Sequence, residues 1–241
     1  MNSRKTAIVV GVLYIIGTVA GILSLVFTGP ILESPDYLLQ VSMNPNQIVI
    51  GALFVLTMGL ALAMVPVIMY PILKNHNRAL AVGYVVFRGA LEAIMYLVFV
   101  IGWLLLPLIS QEFIKASATE ASFFQSLGDL VLGAHDQISH VLAIVFILGA
   151  LMFYYMLYQS KLVPRWLSGW GLLAAIPYFV SGVIGLFTFP DSISTILMVL
   201  VLPMAVQEMV LAVWLIVKGF NSSPVNFGSS NVAVSEAYDP I

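Results

Sequence analysis

The sequence predicts an all-α membrane protein: a polytopic bundle of six transmembrane helices with both termini in the cytoplasm. Only 8% of its 241 residues are Asp, Glu, Lys or Arg, while 61% are hydrophobic. A soluble domain carries about 25% charged residues, and hydrocarbon excludes charge. Six long apolar segments account for most of the chain, and most of its charges fall between them. We expect one membrane domain, residues 1–220, and a flexible polar tail, residues 221–241.

Each apolar segment is long enough to cross a bilayer, because a helix needs about 20 apolar residues to span roughly 30 Å of hydrocarbon. The apolar runs are continuous and do not alternate, which favours helices. The predicted spans are Ala7–Thr28, Gln47–Leu73, Leu80–Leu108, Ala134–Tyr158, Trp166–Phe187 and Ser194–Val217. The longest connection, Ser110–Gly133, mixes aromatic and polar residues and predicts an interfacial helix with Thr119 as its N-cap.

Basic residues predict the orientation of the spans, since the positive-inside rule places loops rich in Lys and Arg in the cytoplasm. One set of connections holds Arg4, Lys5, Lys74, Arg78, Lys161, Arg165 and Lys218. The opposite set holds Glu33, Asp36, Glu112, Lys115, Glu120, Asp129 and Asp191. With a single basic residue in the second set, the first set and both termini are expected to be cytoplasmic.

Composition and motifs argue against several classes of function. The chain has no cysteine, which excludes disulfides, thiolate nucleophiles and thiolate-bound metals. A net charge of −2 argues against nucleic acid as a partner, because that needs a concentrated basic surface. No segment matches a phosphate-binding loop, a dinucleotide-binding loop or the nucleophile elbow of a hydrolase. The expected partners are the lipid bilayer and a small-molecule or ion ligand.

Three charged residues lie inside the predicted spans: Arg88 and Glu92 in the third, and Glu208 in the sixth. An ionisable group at membrane depth is costly and marks a functional site. Arg88 and Glu92 are four residues apart and therefore share one helix face. A rise of about 1.5 Å per residue puts Arg88, Glu92 and Glu208 roughly 12, 18 and 13 Å from the cytoplasmic edge. These depths predict a Glu92–Arg88–Glu208 triad, because a guanidinium can bind two carboxylates.

The triad has two interpretations: an ionic staple that fixes helix packing, or a centre that binds a small molecule, a proton or a cation. Buried ion pairs are poor evidence of stability, and intramembrane charge favours function, so we favour a transporter-like or ligand-binding centre. If both acids ionise, the triad carries a charge of −1, so either one acid is protonated or a cation joins them. Tyr96, one turn beyond Glu92, is expected to line the same pocket.

A second polar group, His135, Asp136 and His140, begins the fourth span. Asp136 and His140 share a helix face, and His140 is expected to approach the depth of Glu92 and to line the pocket. His140, Asp136 and Glu92 are ligand types for zinc or non-haem iron. A metal-dependent intramembrane enzyme acting on a lipid or quinone-like substrate therefore stays open, as does haem held by His140 and His135. A third alternative is a non-catalytic membrane subunit.

The stretch Tyr158–Gly171 (YQSKLVPRWLSGWG) resembles a cytoplasmic loop of a prokaryotic family of six-span membrane proteins, domain of unknown function 4386. The Arg88–Glu92 pair and the His135-Asp136 start of span four are also similar to that family. The resemblance covers most of residues 5–220. It implies six spans and a location in the inner (cytoplasmic) membrane of a bacterium or archaeon. The family has no assigned activity, so the resemblance implies no catalytic residue.

The predicted topology can be tested with reporter fusions. Because basic residues mark cytoplasmic loops, fusions after Lys74 and Lys161 should report cytoplasm. Fusions near Glu33 and Glu120 should report the opposite side of the membrane. A cytoplasmic signal at Glu120 would contradict the six-span arrangement.

Overall fold

A computed structural model describes residues 3–187 and 194–221, and within these ranges the chain is helical, without β-strands. Six helices there are long and apolar enough to cross a membrane, which confirms the predicted all-α bundle. The helices are α1 (Ser3–Leu32), α2 (Tyr37–Met43), α3 (Pro45–Leu73), α4 (Arg78–Tyr84), α5 (Glu92–Lys115), α6 (Ala118–Ser160), α7 (Arg165–Phe187) and α8 (Ser194–Val217). Asp191 and the predicted tail beyond Asn221 lie outside the described residues.

The six spanning helices form a closed ring in chain order. Each packs against its neighbours in sequence, and α8 returns to pack against α1. Among the described residues, the extensive contacts between spanning helices follow this ring and none crosses it. Hydrogen bonds from Arg4 of α1 connect the first span to the last. Arg4 donates to Ile216 O at 2.8 Å and to Val217 O at 3.1 Å.

The alternating direction of the helices separates the charged connections into two ends of the bundle. The start of α1, the α3–α4 and α6–α7 connections and the end of α8 share one end, here called the basic end, with Lys74, Lys161 and Lys218. The α5–α6 connection lies at the other, here called the acidic end, with Glu112 and Glu120. The sequence therefore segregates its surface charge along the bundle axis.

The third spanning helix, Arg78–Lys115, is not a regular α-helix. Between α4 and α5 it passes through a π-helical segment, Val85–Leu91, where the Glu92 N–H reaches the carbonyl of Phe87, five residues back. The segment packs closely on two sides: a Cβ on Gly149 of α6 would lie 3.2 Å from Arg88 N, and a Cβ on Gly89 would lie 3.3 Å from Pro66 Cγ of α3. Such π-turns are rare and concentrate at functional sites, and this one carries Arg88.

The connection between α5 and α6 corrects one prediction. The N-cap of α6 is Ser117, and the predicted cap, Thr119, lies within the first helical turn. Ser117 and Glu120 form a capping box, in which the Ser117 N–H donates to Glu120 Oε2 at 3.1 Å. The predicted helical character of Ser110–Gly133 is confirmed, because most of this segment belongs to the end of α5 and the start of the 43-residue α6.

A short helix that the sequence analysis did not predict, α2, covers the acidic end. Its Leu38 carbonyl accepts a hydrogen bond from Ser110 Oγ of α5 at 2.6 Å. The Tyr37 hydroxyl donates to Asp129 Oδ1 of α6 at 2.8 Å. Burial and the hydrogen bond to Asp129 raise the pKa of Tyr37 well above its ordinary value, so this hydroxyl stays a donor at neutral pH.

Two apolar cores fill the ring. The first lies towards the basic end and draws buried side chains from all six spans, among them Val10, Met69, Ile147 and Leu211. The buried members of the second, towards the acidic end, come from α1, α2, α3 and α5. Along the third span, the charged residues lie between Tyr84 of the first core and Phe99 of the second. The intramembrane charges therefore occupy the level at which one core gives way to the other.

Candidate functional site

Arg88 binds both of the predicted acids. Its Nη1 lies 2.6 Å from Glu92 Oε1 and 2.8 Å from Glu92 Oε2. Its Nη2 lies 2.8 Å from Glu208 Oε1. The contacts of the predicted Glu92–Arg88–Glu208 triad are therefore present, with Arg88 on the π segment, Glu92 at the start of α5 and Glu208 on α8.

The Arg88–Glu208 pair crosses the interior of the ring. The third and sixth spans do not pack extensively against each other, so the long arginine side chain makes the connection between them. Its guanidinium also lies over the Phe146 ring of α6, with Cζ 4.2 Å from the ring centroid. A desolvated cation over an aromatic face is attracted by the ring quadrupole, which helps hold Arg88 towards the centre.

The two acids have different surroundings. Glu92 is 1% exposed, accepts two hydrogen bonds from Arg88 and a third from the Tyr96 hydroxyl at 3.2 Å. Glu208 is 17% exposed, and its Oε1 accepts one hydrogen bond from Arg88. Among the described residues, no group donates to its other oxygen, Oε2. Glu92 is therefore the fixed counter-ion of Arg88, and Glu208 is the acid with open capacity.

Tyrosine side chains surround the triad. Five of them, from four of the six spans, lie near enough to interact electrostatically with its charges: Tyr14, Tyr84, Tyr96, Tyr154 and Tyr178. The Tyr84 hydroxyl is buried within interaction distance of the Tyr14 hydroxyl, so the two phenols face each other beside the triad.

A buried amide that the sequence analysis missed holds α8 in place. Gln207 is fully buried, and its Oε1 accepts a hydrogen bond from the Tyr154 hydroxyl of α6 at 2.6 Å. Its Nε2 donates to the Leu167 carbonyl of α7 at 3.0 Å. These bonds fix the backbone next to Glu208. The available signal was an uncharged polar residue, Gln207, beside an acid within an apolar span.

The histidines and Asp136 lie apart from the triad. Gly149 of α6 contacts Arg88, and nine further residues at about 1.5 Å each carry the helix roughly 13 Å outward to His140. There the imidazole packs over Gly185 of α7. Asp136 is 60% exposed. The third span rises about 6 Å from Arg88 to Glu92 in the same direction, so His140 lies roughly 7 Å beyond the level of Glu92. Its expected approach to the depth of Glu92 stays a prediction.

His135 faces a different side of α6. Its ring lies 4.2 Å from Phe99 and 5.5 Å from Trp103, between centroids, so it packs against α5. In the described residues, no three His, Asp or Glu side chains are grouped as a metal site requires. The arrangement therefore provides no centre for the metal alternative, and His135 and His140, on different packing faces, do not form a haem-ligand pair.

The family described as "Domain of unknown function (DUF4386)" matches residues 9–219, which is most of the chain. The chain belongs to the DUF4386 family. No curated protein and no solved structure matches it. The triad, the surrounding tyrosines and Gln207 all fall within the family region.

In this DUF4386 protein, the triad contains one positive charge, on Arg88, and two negative charges when both acids are ionised. One negative charge is therefore left without a partner of its own. The Arg88 charge is balanced by Glu92, its closest partner, and Glu208 shares the same guanidinium. Separating charge from water is costly in hydrocarbon, so an ionised Glu208 favours a second positive charge nearby. The chemistry available at this point is proton uptake, cation binding or hydrogen bonding to a polar ligand.

We predict that Arg88→Met destabilises the protein in detergent by about 3–5 kcal/mol, the loss typical of a broken buried ion pair. The physical reason is that two acids then lie in the interior without their shared cation. Adding Glu92→Gln and Glu208→Gln to this variant should recover much of the loss, because no charge then remains unpaired. Thermal or denaturant unfolding measures both effects.

Arg78→Met is the matched control, since Arg78 is exposed at the basic end. A surface change of this kind alters stability by less than about 0.5 kcal/mol. If the triple variant were no more stable than Arg88→Met, the loss would come from the packing of Arg88 over Phe146 and not from charge.

Proposed function

We propose that this protein is a transporter-like membrane protein that binds a small cation or a proton at Glu208. The observation that carries the proposal is the charge imbalance of the triad: one guanidinium against two carboxylates, all within a ring of apolar helices. A second positive charge at Glu208 balances the centre. A staple between the third and sixth spans needs only the Arg88–Glu208 pair, so the two carboxylates together exceed what helix packing requires.

Glu208 is the favoured position because it is the more open of the two acids. It is 17% exposed against 1% for Glu92, and its Oε2 accepts no hydrogen bond from the described residues. Tyr14, Tyr154 and Tyr178 lie near enough to interact electrostatically with Glu208, and oxygen is the ligand atom that hard cations prefer.

The cellular location belongs to the proposal. Six apolar helices indicate a multi-pass membrane protein, and we propose that it lies in the cytoplasmic membrane with the basic end inside the cell. The segregation of Lys and Arg to that end supports this orientation through the positive-inside rule. In the described residues, Asp136, His140 and Glu92 are not grouped as a metal site requires, so the charge imbalance of the triad favours ion binding over the metal-dependent enzyme.

We expect cation binding to raise the unfolding temperature of the wild-type protein, since a ligand that binds only the folded state stabilises it. The measurement is thermal unfolding in detergent with sodium, potassium or tetramethylammonium chloride, against N-methylglucamine chloride at equal ionic strength. At least one of the three should stabilise the wild type. Glu208→Gln should fold and lose that stabilisation.

Glu112→Gln serves as the control, because Glu112 is an exposed acid paired with Lys115 outside the interior. It should keep the wild-type response. Equal stabilisation of the wild type and Glu208→Gln by every cation would place the site elsewhere and leave the ionic staple as the better account.

A further inference from the structure

A long apolar groove runs along the outside of the ring at the seam between α1 and α8. Its volume is about 630 Å³, and it is lined mainly by α8 side chains from Ala205 to Lys218, with Thr18 of α1. Thirteen residues at about 1.5 Å each give it a length of roughly 20 Å. Val206, Val213 and Val217 are exposed along it, so its floor faces the bilayer.

The groove is apolar along its length and cationic where it ends. Lys218 lines it at the basic end. The Arg4 guanidinium lies at the same place, bonded to the carbonyls of Ile216 and Val217. Gly219, with φ +77°, turns the chain there, and a Cβ on it would lie 2.7 Å from Arg4 Nη1. Two positive charges, one near the start of α1 and one just after α8, therefore lie at this end of the groove.

From this juxtaposition, we propose that the α1–α8 groove binds one anionic phospholipid, with its phosphate at Lys218 and Arg4 and an acyl chain along the α8 valines. Charge complementarity selects the headgroup, because basic side chains at a membrane surface attract anionic lipids. Among the described residues of the basic end there is no Asp or Glu to oppose it. The apolar channel below this cationic end suits a hydrocarbon chain.

The groove and the triad are separate sites, but α8 contributes residues to both. Glu208 lies between two groove-lining residues, Val206 and Met209, and is not itself part of the lining. The spanning neighbours of α8 are α1 and α7, so a lipid in the groove covers part of its remaining surface. The bound lipid would support the helix that presents the open acid. This inference goes beyond the proposed function and does not depend on it.

Native mass spectrometry tests the proposal on the full-length protein released from detergent containing equal amounts of phosphatidylglycerol and phosphatidylcholine with identical acyl chains. We expect one phosphatidylglycerol to be retained in preference to phosphatidylcholine. Each basic side chain near a membrane surface contributes roughly a fivefold preference, so Lys218→Gln should reduce retention by about that factor. Lys218→Arg should restore it.

Lys74→Gln is the control, because it removes one exposed positive charge from the same end, just after α3. It should retain phosphatidylglycerol within about twofold of the wild type. Val213→Trp fills the groove at an exposed position and should displace the lipid while the charges remain. Equal losses in Lys74→Gln and Lys218→Gln, or full retention in Val213→Trp, would overturn the proposal in favour of unspecific surface attraction.

Discussion

A guanidinium inside an apolar helical ring must be balanced, and this requirement organises the interior of the protein. Arg88 is 3% exposed and lies far from either end of its spanning helix. A charge cannot be left unpaired in hydrocarbon at low cost, so its position demands a carboxylate within reach. Glu92 supplies a carboxylate from the next turn of the same span, and Glu208 supplies a second carboxylate from across the ring.

The fold supports this crossing from several directions. The π segment presents Arg88, Gly149 leaves space against its backbone, and the Phe146 ring lies beneath its guanidinium. On the far side, Gln207 ties α8 to α6 and α7, so Glu208 is held at the matching level. Since the two spans do not pack extensively against each other, the ion pair is a direct polar link between them.

The spans and the triad could be predicted from the sequence because both depend only on positions along the chain. Continuous apolar runs determine where helices cross, and rise per residue determines depth, so Arg88 and Glu208 could be matched in level before the ring was known. The same arithmetic could not identify the neighbours of His140, because the packing of α6 against α7 determines them. To predict which side chains meet across the ring, one must know which helices are adjacent, and the lengths of the spans do not give that information.

The π winding and the role of Gln207 were harder to predict. An extra residue in a helical turn leaves no signature in an apolar run, and Gly149, whose lack of a side chain accommodates it, lies sixty positions away. Gln207 looked like an ordinary neighbour of Glu208, since its partners Tyr154 and Leu167 come from other helices. Long-range packing decides both features, and local pattern carries little information about it.

The central claim is that Glu208, and not Glu92, carries the exchangeable charge of this interior. Infrared difference spectroscopy of the reconstituted protein tests it most directly, because a protonated carboxyl group absorbs separately from a carboxylate. The exposed Asp and Glu side chains contribute to the carboxylic-acid band of every variant. The account predicts that acidification of the wild type adds one component from an interior carboxyl group, and that this component is missing in Glu208→Gln. A component lost in Glu92→Gln and kept in Glu208→Gln would contradict it.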